Sequence, residues 1–268
     1  ALKEAFGDKV TFDLEYAAND PATCATIANT FVSSGVDLIM ANASSALQAA
    51  ASATGDIPVL GTSVTEYGVA LKIDDFSGTV GTNVSGTSDL APLDQQAAMI
   101  QEWCPEAKTV GLLYCSGEPN SQYQVDTVQE HLEELGYTCT QYAFSDSNDM
   151  AAVTQTAADN SDVIYVPTDN TVASNASIVD NICRPAKIPV FTGEQGICKG
   201  CGVATLSISY YDLGVTTGEM AVKVLRGEAD ISQMPIEYAP QFTKMYNQDI
   251  CDDLGLTPPE GYTALDAE

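Results

Sequence analysis

Hydrophobic positions along this chain come in two recurring patterns. Short, largely apolar runs at 36–40, 57–60, 110–115, 163–166 and 188–192 lack the polar alternation of a half-exposed strand. They read as strands covered on both faces. Between them lie segments with apolar residues at helical spacing, such as Cys24, Ile27 and Phe31. Strand and helix therefore alternate, which predicts βαβ units and parallel sheets.

The punctuation agrees. Residues 1–7 read as the last turns of a helix closing on Gly7, and 10–16 alternate as a strand. Asp20 and Pro21 offer a cap and a first-turn proline to a helix that stops at Gly35. Ser45-x-x-Gln48 and Ser121-x-x-Gln124 read as capping boxes, the second opening a helix that ends at Gly136. Helices are expected at 92–103, 149–158, through Cys183 and at 213–225, with strands at 138–144, 203–209 and 238–246 and a short closing helix. The glycine- and hydroxyl-rich stretch 80–89 reads as a connection leaving one lobe. The sharpest signal is V-I-Y-V-P-T-D-N at 163–170. Pro167 ends a buried strand, Asp169, Asn170 or Thr171 can cap the next helix, and such strand ends are where open α/β sheets hold ligands.

The chain also repeats itself. Residues 37–46 align with 162–171, and 56–63 with 187–194, without a gap. This predicts two Rossmann-like α/β lobes facing one another, one from 1–84 and 210–231, the other from 85–209 and 232–268. Crossings near 84–89, 208–212 and 229–235 would let them close around a ligand. The second half places strand 110–115 ahead of the helix that matches 1–7; the first half has no counterpart, so further residues are expected upstream of Ala1.

Charge removes whole classes of partner. Ten basic residues stand against 37 acidic ones, a net of −27, which repels nucleic acid and anionic lipid. No apolar run reaches the roughly 18 residues of a membrane span. Of eight cysteines only Cys198 and Cys201 are close in sequence, and the single histidine, His131, is distant, so neither metal nor cofactor is expected. The thiols fit either small core residues or disulfides. No nucleophile elbow or phosphate loop is present, and the reading is not an enzyme.

The repeat places Ser44 opposite Asp169 and Ser63 opposite Glu194. One lobe thus offers Asn42, Ser44, Ser45, Thr62 and Ser63 with helix N-termini, suited to an anionic group. The other offers the carboxylates of Asp169 and Glu194, suited to a cation, with Asn120, Ser121, Thr168 and Asn170 beside them. No lysine or arginine falls on these loops, Lys199 being nearest, which disfavours a phosphorylated ligand. A zwitterionic amino acid fits the split. Tyr210 and Tyr211 either pack a crossing or stack on the ligand, and Trp103 reads as a core anchor.

V-I-Y-V-P-T-D-N-T-V-A-S, I-P-V-F-T-G-E-Q-G, A-T-L-S-I-S-Y-Y-D-L-G and V-S-G-T-S-D-L-A-P together resemble the tryptophan/tyrosine-type substrate-binding proteins of ABC importers. The resemblance covers nearly the whole chain, although Cys198 and Cys201 depart from the family's usual residues. It implies a type I periplasmic-binding-protein fold and an extracytoplasmic, lipid-anchored or periplasmic carrier. Such a carrier, a monomer, hands an aromatic amino acid to a membrane permease. The alternatives are a carrier of branched-chain amino acids, nucleosides or sugars, and a sensory domain of a signalling system.

Overall fold

A computed structural model describes residues 1–18, 20–239 and 241–265. Unit 1 begins with α1 (Leu2–Phe6), α2 (Pro21–Ser34), β1 (Ile39–Asn42), α3 (Ser44–Ala53), β2 (Val59–Val64), α4 (Tyr67–Leu71) and β3 (Val84–Ser88). Unit 2 follows with α5 (Leu93–Trp103), β4 (Thr109–Cys115), α6 (Pro119–Glu134), β5 (Thr138–Phe144) and α7 (Met150–Asn160). It continues through β6 (Val163–Val166), α8 (Asn170–Ala186), β7 (Val190–Thr192), α9 (Gln195–Cys201) and β8 (Ala204–Ser207). The chain returns to unit 1 for α10 (Tyr210–Leu225) and β9 (Glu237–Tyr238), then adds β10 (Thr243–Tyr246), α11 (Gln248–Leu254) and β11 (Thr263–Ala264) to unit 2. The units comprise Ala1–Leu90 with Ser209–Pro240, and Ala91–Ile208 with Gln241–Glu268.

Unit 1 is a parallel sheet in the order β1-β2-β3-β9. Unit 2 has the order β11-β10-β8-β7-β6-β4-β5, parallel except where β10 runs against β8. The internal repeat reappears in the ladders. Ile39, Met40 and Ala41 pair with Val59, Leu60 and Gly61, while Ile164, Tyr165 and Val166 pair with Val190, Phe191 and Thr192. These are the residues that the sequence alignment superposes.

Strands buried on both faces explain the unbroken apolar runs. On one face of the unit 1 sheet Ile39, Val59 and Val84 pack with Leu47 and Tyr67; on the other Leu60 meets Met220 and Ala221 of α10. In unit 2 Leu113, Ile164 and Val190 pack with Val172, Val179 and Ile197 of α8 and α9. Trp103 anchors the end of α5, with ring centroids 6.4 Å from Phe191 and 5.1 Å from Tyr262.

Four local expectations change. Residues 10–16 form no strand, and Phe12, Leu14 and Tyr16 are 56%, 93% and 87% exposed. Their repeat counterpart, β5, is held by β4, and the described residues of unit 1 supply no strand in that position, so the alternation has no ladder to join. The stretch 80–89 is no mere connection: it contains β3, buried along its length and paired with β2, so it stays in unit 1. Neither capping box forms. Ala43 precedes α3, and Gln48 instead donates to the Ala70 carbonyl at 2.9 Å; Ser121 and Gln124 lie inside α6, which starts at Pro119. Finally, the run 238–246 splits into β9 of unit 1 and β10 of unit 2.

Candidate functional site

In unit 1 the carboxyl ends of β1 and β2 lie side by side, Asn42 pairing with Thr62 and the Ala43 amide donating to the Thr62 carbonyl at 3.0 Å. Ala43 holds φ 78° and ψ 162°, a conformation essentially reserved for glycine. That turn starts α3 without any side-chain cap. Ser44 is buried, Ser45, Thr62 and Ser63 are half-buried, and Asn42 is exposed. Ser63 too is left-handed, at φ 53°. A chain of hydroxyls steadies this rim: Thr87 donates to Thr62 at 3.4 Å and lies 2.8 Å from the Thr217 hydroxyl of α10. At the end of β3 the Asp89 amide donates to the Val64 carbonyl at 3.2 Å, and the Tyr210 hydroxyl donates to its carboxylate, also at 3.2 Å.

Unit 2 treats its helix starts differently. Asp169 caps α8, accepting from the Val172 amide at 2.9 Å and, on its other oxygen, from the Cys115 amide at 2.8 Å. The Ser121 hydroxyl adds a further hydrogen bond. Glu118, which the sequence reading passed over, accepts from the Asn170 and Thr171 amides at 3.0 and 2.9 Å and from both their side chains. An acidic residue before a first-turn proline, like Asp20 before Pro21, would be expected to cap its own helix; Glu118 makes no such bond to α6 and serves α8 instead. Asn120 and Gln124 both donate to the Thr168 carbonyl, at 3.2 and 3.1 Å, and the Thr168 amide returns a bond to Gln124 at 3.0 Å. Asn120, Ser121, Thr168, Asp169 and Asn170 therefore form one network around the exit of β6. Glu194 stands apart from it, capping α9 through the Gly196 amide at 2.6 Å and the Ile197 amide.

These carboxylates pay for their position in desolvation. Burial and the neighbouring Glu118 push Asp169 up to about 6, against the hydrogen bonds it accepts. Burial likewise raises Glu194, opposed by its two amide donors. All eight cysteines are free thiols, and no group of metal ligands occurs among the described residues. No helix among them is long and apolar enough to cross a membrane.

Residues 1–267 match the family model described as ABC transporter substrate binding protein. This chain belongs to that family. It is 33% identical over 253 residues to a tyrosine-binding protein of Clostridioides difficile (strain R20291), covering 93% of this chain and 72% of the relative. Among solved structures, a Streptococcus pneumonia ABC domain in complex with L-Trp superposes with a TM-score of 0.90 at 32% identity, over 98% of this chain and 93% of that one. A ligand-free, open substrate-binding protein with adhesive properties from Clostridium difficile gives 0.73 at 37% identity, over 98% and 89%. The fold is that of type I periplasmic binding proteins, and the family resemblance read from the motifs is borne out. ABC substrate-binding proteins are extracytoplasmic and generally not enzymes.

Proposed function

We propose that this protein binds an aromatic amino acid, tryptophan or tyrosine, and delivers it to an ABC permease. The observation that carries the reading is the start of α3. At α8 and α9 the first-turn amides are met by Asp169, Glu118 and Glu194, whereas α3 has no side-chain cap and is reached through a strained Ala43. Amides and a positive helix end suit a carboxylate. Ser44, Ser45, Thr62, Ser63 and Asn42 add the neutral donors that a carboxylate, rather than a phosphate, needs. Asp169 and Glu194 act in this reading through the loops they brace, with Asn120, Ser121, Thr168 and Asn170 shaping a polar rim on unit 2. The two relatives named for tyrosine and tryptophan supply the aromatic side chain.

The test is a calorimetric and thermal-shift screen on protein stripped of carried-over ligand. L-tryptophan or L-tyrosine should bind tightest, and tryptophan amide, lacking the carboxylate, should bind at least tenfold more weakly. A ligand at about 100 times its dissociation constant adds roughly 2.7 kcal/mol of stability. Stabilisation by a nucleoside or sugar instead, or equal binding of acid and amide, overturns the proposal.

A further inference from the structure

β1 ends the unit 1 sheet on one side, and among the described residues it pairs only with β2. The Ile39 and Ala43 amides donate toward β2, to the Pro58 and Thr62 carbonyls at 2.9 and 3.0 Å. By the alternation of a parallel ladder, the amides of Met40 and Asn42 point the other way. This edge carries neither charge nor proline, the usual means of blunting one. Its repeat counterpart is an interior strand: β6 pairs with β7 on one side and with β4 on the other. Tyr165 of β6 is fully buried, whereas Met40, aligned with it, is 41% exposed. Beside the bare edge lies a groove of about 530 Å³ lined by Leu2, Phe12, Met40 and Val215, with Ala1 at its wall. The stretch 10–16, with its exposed Phe12, Leu14 and Tyr16, aligns with β5, which β4 holds from Thr109↔Thr138 to Cys115↔Phe144. One strand in the position of β4 would satisfy both the edge and the stretch. Chain order says where it comes from. In unit 2, β4 leads through α6 into β5; in unit 1, α1 leads into 10–16, so the strand that fits precedes α1.

We infer that residues immediately preceding Ala1 form a strand parallel to β1 that docks on this edge, with 10–16 pairing on its other side. Its backbone takes up the outward groups of Met40 and Asn42, and its side chains fill the groove. By the unit 2 register it crosses Leu38, Ile39 and Met40, the counterparts of Val163, Ile164 and Tyr165. A strand so placed is covered on both faces and is apolar along its length, as β4 is.

The test compares the chain beginning at Ala1 with the chain extended by the residues its gene encodes upstream, using amide hydrogen exchange and light scattering. The extension should slow exchange at Met40, at Asn42 and across 11–15 at least tenfold, in a monomer. Unchanged rates overturn the inference, as does an upstream sequence with no apolar run of strand length. Protection that appears in the shorter chain and grows with its concentration also overturns it, because a second copy then occupies the edge. Proline gives an independent reading, since an edge strand accepts it and an interior strand does not. Met40→Pro should leave the melting temperature of the shorter chain nearly unaltered and lower that of the longer one by ~5 °C or more. Equal effects in the two chains, failure of both to fold included, refute the docked strand.

Discussion

Asp169 shows what one side chain can be made to do. Its two oxygens join the starts of α6 and α8 to the end of β4, through Ser121, Val172 and Cys115. Asp169→Asn replaces one acceptor by a donor and leaves an amide facing an amide. Urea unfolding at neutral pH should show a loss of about 1–3 kcal/mol. The pH dependence has a definite sign. The folded protein binds the Asp169 proton more tightly, at about 6 against 3.8 for the unperturbed group, so the proton-linked part of this residue's contribution, separate from its hydrogen bonds, is fully present below pH about 4. It is lost as pH rises through 6. Subtracting the Asp169→Asn curve from wild type between pH 4 and 7 should reveal that falling component. Asp169 as a cap was readable from V-P-T-D-N, because capping is local; its bond to Cys115, 54 residues away, was not.

At the scale of elements, backbone conformation sets how α3 begins. Ala43 occupies a region in which a Cβ is strained, at a cost of about 1–3 kcal/mol. Ala43→Gly should therefore raise unfolding free energy by up to that amount, and the measured affinity for the amino acid should fall as the turn loosens. Close packing of strands sets a second limit. Gly61 and Gly86 are register partners on β2 and β3, and the Tyr67 side chain lies over both. A Cβ at Gly86, where φ is +145°, would come within 2.1 Å of the Gly61 carbonyl and 2.4 Å of the Tyr67 hydroxyl. Gly86→Ala should cost at least ~2 kcal/mol by denaturant unfolding, chiefly by parting β2 from β3. This glycine also explains why the segment was misread: its small and hydroxyl residues look like linker, yet they are what lets β3 lie close against β2 and α10.

For the whole molecule, charge is the dominant fact. A net of −27 at neutral pH makes the folded chain repel itself. Raising salt from about 10 mM to about 0.2 M shortens the Debye length from roughly 30 Å to under 10 Å and should increase the melting temperature. An unchanged or lowered value would show that ion pairs such as Arg184 with Asp180 and Asp253 outweigh the repulsion. Of the eight free thiols six are buried and pack as core residues.

The amino-acid sequence alone determined the alternation of strands and helices, the two-fold repeat with its pairing register, and the family. Those properties are written in local periodicity and in the spacing of turn residues. Which carboxylates cap helices, which helix starts lack a side-chain cap, and whether an alternating segment finds a ladder were decided only in three dimensions. A hydrogen bond between residues far apart in sequence leaves no periodic trace. Glu118 and the exposed run from Phe12 to Tyr16 each took their place from neighbours that the fold, rather than the chain, put beside them or withheld.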